Sequence, residues 1–210
     1  MMTRIIFLVT AAAAAASAQQ WEFGGLGGGT FINHVGVTAP AGAATAGFAN
    51  GAAFGGWVGY NSYKHIGGEL RYSFMQSNLK LTSGGSSAEF NGVSHAIHYD
   101  VVFHTAQRGA KAQFYVAVGG GVKIFSGTGK EAAYQPLSDY GYFTKTRAFE
   151  PMGTVAAGVK VRLAPHVFLL TEIRDYITPF PKDIIAPPPG VKYGTLLHDV
   201  VPVAGIGFDM

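Results

Sequence analysis

QFYVAVGGGVKIF, running from Gln113 to Phe125, alternates with period two. One face carries Phe114, Val116, Val118, Gly120, Val122 and Ile124, and the other Tyr115, Ala117, Gly119, Gly121, Lys123 and Phe125. Such a run is apolar on one face and small or charged on the other, with aromatics near both ends. It suits a strand between lipid and a narrow polar interior. A soluble sandwich strand shows water a face rich in Lys, Glu, Thr and Ser, which is missing here.

Seven further segments repeat the alternation: Trp21 to Asn33, Ala52 to Asn61, Ile66 to Gln76, Glu89 to His104, Met152 to Leu163, Val167 to Ile177 and Leu196 to Phe208. Eight strands are therefore expected. Their connections alternate in length: His34 to Gly51, Ser77 to Ala88, Ser126 to Pro151 and Thr178 to Thr195 are long, whereas Ser62 to His65, Thr105 to Ala112 and Ala164 to His166 are short. Long loops thus gather at one end, as in outer-membrane barrels with short periplasmic turns and long extracellular loops. Two aromatic girdles are expected. Trp21, Phe23, Tyr60, Tyr63, Phe103, Phe114, Phe168 and Phe208 fall near the short turns, and Phe31, Phe74, Phe90, Phe125, Phe149 and Tyr176 near the long loops. Pro202 lies inside the last strand and predicts a bulge or a shortened strand there.

Composition agrees with an exported membrane protein. Charged residues are 13% of 210, against about 25% in soluble proteins, and 30 glycines are about twice the usual share. Arg4, the apolar run Ile5 to Ala16 and Ala16-Ser17-Ala18 read as a cleaved signal peptide over residues 1–18, leaving 19–210 as one barrel domain. Beyond the N-terminus no apolar run is long enough for a spanning helix. The absence of cysteine excludes disulfides and thiolate chemistry. A net charge of +3 without a Lys/Arg cluster argues against nucleic acid as a partner.

Among the seven histidines, His95 and His98 point to opposite faces of a strand, and no His/Asp/Glu spacing matches a ligand pattern, so no metal or cofactor is expected. Ser94-His95 is the nearest thing to a nucleophile and base, but adjacent strand residues face opposite ways; catalytic residues are not assigned. A ligand-binding exported barrel of the lipocalin type would need the reverse pattern, a wet outside and an apolar cup.

With this architecture, and with Gly67-Gly68-Glu69-Leu70-Arg71-Tyr72 looking like a third strand, the chain resembles the OmpA/OmpX-type eight-stranded outer membrane β-barrel family, the porin-like outer membrane β-barrel domain. The resemblance implies an all-β, antiparallel up-and-down transmembrane barrel, monomeric and integral to the bacterial outer membrane. The chain departs from the family's aromatic terminus, since Asp209 and Met210 follow Phe208, and no peptidoglycan-binding domain is expected after the last strand.

Two candidate sites follow. Inward positions carry Glu69, Arg71, Asp100, Lys123, Lys160, Arg162, Glu172 and Arg174. Eight strands leave a lumen only wide enough for side chains, so these charges are expected to pair as a plug. The loop Ser126 to Pro151 offers Lys130, Tyr134, Tyr140, Tyr142, Phe143, Lys145 and Arg147 for contact with a host or envelope surface ligand. The expected role is structural or surface recognition without catalysis, in contact with outer-membrane lipid. A narrow diffusion pore or a lipid-modifying enzyme is the alternative.

Overall fold

The structure, a computed structural model, describes residues 21–210 apart from Ser62, Arg108 and Ala133. The expected signal peptide lies outside the described residues. In chain order, β1 (Trp21–Ile32) leads into a hairpin of β2 (Val35–Ala39) and β3 (Gly42–Phe48), followed by β4 (Gly51–Tyr60) and β5 (Ile66–Gln76). A second hairpin, β6 (Leu79–Ser83) and β7 (Ser86–Phe90), precedes β8 (Gly92–His104) and β9 (Ala112–Gly127). Then come β10 (Tyr142–Phe143), β11 (Arg147–Ala164), β12 (Val167–Pro179), β13 (Ile185–Ala186), β14 (Lys192–Tyr193) and β15 (Leu196–Asp209).

Eight of these close a barrel in the order β1-β15-β12-β11-β9-β8-β5-β4, with every neighbouring pair antiparallel. Side chains alternate across the wall. On β9, Phe114, Val116 and Val118 are exposed while Tyr115, Ala117, Lys123 and Phe125 are buried. An outer surface of Val58, Leu70, Val101, Val116, Val155, Ile173 and Ile206 would be costly in water and is favourable in lipid. β5 and β12 stand diametrically opposite, which sets the geometry of the lumen.

The long connections are not simple loops. His34 to Gly51 contains β2 and β3, and Ser77 to Ala88 contains β6 and most of β7. Gly84 and Gly85 take φ values of 56° and 83°, the left-handed pair that a tight β6–β7 turn requires. With β14 these hairpins form a five-stranded sheet, β14-β2-β3-β6-β7, and β10 pairs with β13 beside it. Inside lies a second apolar core that includes Val35, Val37, Phe48, Leu79, Leu81, Phe90, Phe143, Phe180, Ile184, Ile185 and Tyr193. It joins the barrel through Ile32, Phe125, Ala148 and Leu197, and so roofs the long-loop end.

Three expectations are corrected. Phe168, Phe90, Phe125 and Tyr176 are buried rather than girdle residues, because each lies in phase with the inward face of its strand. The lower girdle retains Trp21, Phe23, Tyr60, Tyr63, Phe103, Phe114 and Phe208, and the upper one Phe31, Phe74 and Phe149. Pro202 neither bulges nor shortens β15. Pairing with β12 continues through it, whereas towards β1 the ladder lapses between the pairs Gly28–Val203 and Phe31–Val200 without a change of register. Proline lacks the N–H for one side only, and the strand absorbs the loss there. Finally, the strand expected from Glu89 breaks at Asn91, whose carbonyl accepts from the N–H groups of Thr128 and Gly129.

The topology makes a direct prediction. An epitope inserted beside Pro188, in the capped end, is reached by antibody on intact cells, and one at Lys64, in a short turn, is not. Equal access, or the reverse order, would contradict the orientation.

Candidate functional site

The lumen holds three tiers of ion pairs. In the middle tier Arg71 of β5 donates Nε to Glu69 at 2.7 Å and reaches across the axis to Glu172 of β12, at 2.6 and 3.3 Å. Arg174 donates to Glu172 at 2.8 and 3.1 Å and to Asp100 of β8, and stands 3.7 Å from Glu69. The Tyr115 hydroxyl donates to Glu172 at 2.7 Å and that of Thr154 to Asp100 at 2.5 Å. His98 Nδ1 lies 3.1 Å from the same aspartate. Arg71 and Arg174 are each 1% exposed, so water cannot serve in place of these partners.

Towards the cap, Lys123 donates to Asp199 at 2.6 Å, with its ammonium over the rings of Phe125 and Tyr176. Towards the short turns, Lys160 pairs with Glu22, which also accepts from Asn61 at 3.1 Å. Arg162 lies apart from the other lumen cations, partly exposed at the short-turn mouth and bound to Asp209 at 2.5 and 3.3 Å. The structure thus brings Glu69, Arg71, Asp100, Glu172 and Arg174 into one cluster and places Lys123, Lys160 and Arg162 in separate pairs. Glu22, His98, Tyr115, Thr154 and Asp199 complete the tiers. Glu22 and Asp199 were legible by extending the inward phase: Glu22 lies between outward Trp21 and Phe23, and Asp199 two steps from Val201.

The glycines of the opening stretch now have a reason. A Cβ on Gly119 would sit 2.1 Å from Asp100 Oδ1 and 2.1 Å from the Tyr99 carbonyl oxygen. Its bare backbone therefore makes room for the central carboxylate. Gly119→Val is expected to destabilise the barrel by about 1–3 kcal/mol through overpacking, measured by urea unfolding in lipid vesicles. A variant as stable as the parent would show that the cluster can shift aside.

The contact-loop residues divide. Tyr134 is 79% exposed, and Tyr142, Lys130, Lys145 and Arg147 are also on the surface. Phe143 is not: it is 4% exposed and stacks on Phe90 at 5.8 Å, so its assignment to the contact surface is corrected. Strand pairing of β10 with β13 turns Tyr142 out and Phe143 in. Tyr140 is half-buried and braces the lobe, its hydroxyl donating to the Ala41 carbonyl and its own carbonyl accepting from Tyr193 at 2.8 Å. Burial pushes the Tyr193 phenol above its ordinary range, which keeps it a neutral donor. Ser94 faces inward, bonded to Ser77 at 2.8 Å, while His95 faces outward against the Tyr72 hydroxyl at 2.8 Å.

The sequence profile of the outer membrane protein β-barrel domain matches residues 5–195. Comparison with curated protein sequences finds no match. Among solved structures, the outer membrane protein OprG from Pseudomonas aeruginosa superposes with a TM-score of 0.56 at 12% identity, over 92% of this chain and 98% of that one. Neisserial surface protein A (NspA) gives 0.53 at 12% identity, over 90% and 97%. At such identities the likeness concerns the fold. The profile match, the closed eight-stranded barrel and its apolar outer wall together lead to one conclusion: the chain belongs to the outer membrane protein β-barrel domain family and is an integral protein of the bacterial outer membrane.

Proposed function

We propose that the protein is a non-conducting, non-catalytic monomer that holds a folded extracellular lobe at the cell surface, and that this lobe recognises a host or envelope ligand. The observation that carries the reading is the lobe's own apolar core, which fixes its strands while leaving Tyr134, Tyr142, Lys130, Lys145 and Arg147 on the outside. Exposed aromatic and cationic side chains on a rigid frame bind without a large ordering cost. Ion pairs filling the lumen and an apolar roof above them speak against a diffusion pore. The opposite directions of Ser94 and His95 speak against that pair as a hydrolytic site.

The test uses the protein in lipid nanodiscs, exposed to arrays of glycans and extracellular-matrix proteins. The expected result is a retained signal that Tyr134→Ala combined with Lys145→Ala lowers at least about tenfold, as loss of one good anchor would. Wild type that binds no better than empty nanodiscs would leave a structural role instead.

A further inference from the structure

The outward faces of the eight staves carry one carboxylate among the described residues, Asp175 of β12. Every other stave carboxylate lies in phase with the lumen: Glu22, Glu69, Asp100, Glu150, Glu172, Asp199 and Asp209. Asp175 accepts from or pairs with His198 Nδ1 of the adjacent β15 at 2.8 Å, and its second oxygen is buried without a hydrogen-bond partner. A charge on the lipid side is penalised most at the bilayer midplane and little near its boundaries. The pair's depth therefore matters.

From Phe208 in the lower girdle to His198, β15 climbs about 25 Å, at a rise of about 3.3 Å per residue and a tilt of about 40°. That equals the height of the apolar band of such barrels, about 25 Å. His198 thus stands where the outer leaflet's acyl chains give way to headgroups. Below it the outward positions are Val200 and Pro202, and Phe31 pairs with Val200 from β1. Beside it Asn33 accepts from the His198 N–H at 2.7 Å, and the Asn33 N–H donates to the His198 carbonyl at 3.0 Å. With its Oδ1 engaged in this way, the Asn33 carboxamide keeps its NH₂ group for another partner.

We propose that Asn33, His198 and Asp175, in a row across β1, β15 and β12, form a binding site for the phosphorylated sugar headgroup of an outer-leaflet glycolipid. The chemistry fits such a headgroup on each count. With Nδ1 committed to Asp175, the imidazole presents Nε2 alone, as an acceptor to a sugar hydroxyl or, protonated, as a donor to phosphate. Asp175 is then its internal counter-ion, so the site gains a charged donor without adding a net cation to the hydrocarbon boundary. The Asn33 amide supplies a second donor, and the apolar wall under Phe31 and Val200 receives the acyl chain. The inference rests on the outer-membrane location and is independent of what the lobe recognises.

The experiment places the full barrel in phosphatidylcholine nanodiscs doped with diphosphoryl lipid A, or with dephosphorylated lipid A, and counts retained lipid by native mass spectrometry. Wild type is expected to keep one diphosphoryl lipid. His198→Ala and Asn33→Ala should each reduce that retention about tenfold, the effect of losing one polar contact of about 1.4 kcal/mol. His95→Ala, a histidine on the opposite wall, should leave it unchanged, and heat-modifiable migration on SDS gels identifies the variants that fold. Equal retention in wild type and His198→Ala, or equal retention of the two lipids, would overturn the site. Loss of an acyl chain from the retained lipid would replace binding by hydrolysis.

Discussion

Glu172→Ala destabilises the barrel by about 3–5 kcal/mol, read as a shift of the urea midpoint in lipid vesicles. Glu172 accepts from Arg71, Arg174 and Tyr115 at the centre of the lumen, and its removal leaves two guanidinium groups sharing Glu69 and Asp100. Both guanidinium groups are shut off from water, so the lost partner is not replaced by solvent. Replacing Glu172 and Arg174 together by Met and Leu costs less. It leaves Arg71 with Glu69, and Asp100 with Thr154 and His98, each still partnered. A double variant as damaged as the single one would mean that shape, not charge balance, sets the cost.

Phe143→Ala is expected to loosen the lobe by about 3–5 kcal/mol while sparing the barrel. Phe143 is packed in the lobe core, stacked on Phe90, and its N–H and carbonyl are both held by the Gln135 side chain, at 2.8 and 2.9 Å. Hydrogen exchange should speed up in β6, β7 and β13 and remain slow in β8 and β9. Deleting Gly129 to Thr144 should extend that effect and leave an SDS-resistant barrel. If either change prevents the barrel itself from folding, the two cores are one cooperative unit.

The staves were legible because period two persists over ten or more residues and tolerates glycine, as QFYVAVGGGVKIF illustrates. The cap was not. VGVTA and LKLTS are five residues each, too short to stand out from the Gly, Ala and Ser around them. Their strand character comes from pairing with one another and from the core they enclose. The inward charges were visible individually from phase, and the opposition of β5 and β12 follows from an eight-strand count. Which acid meets which base depends on stagger between strands. Lys123 finds Asp199 and Lys160 finds Glu22 across three positions of the ring, a relation that no single strand displays. The inward direction of Phe143 is hidden in the sequence because the phase of a two-residue strand cannot be read from two residues.

Conductance in a planar bilayer tests the closed lumen most directly. Wild type should insert, as shown by lipid-dependent folding, yet carry no persistent current of porin size, because the paired side chains fill the lumen under an apolar roof. A steady porin-sized pore in wild type, unchanged in Glu172→Ala, would contradict the plug and make diffusion the function.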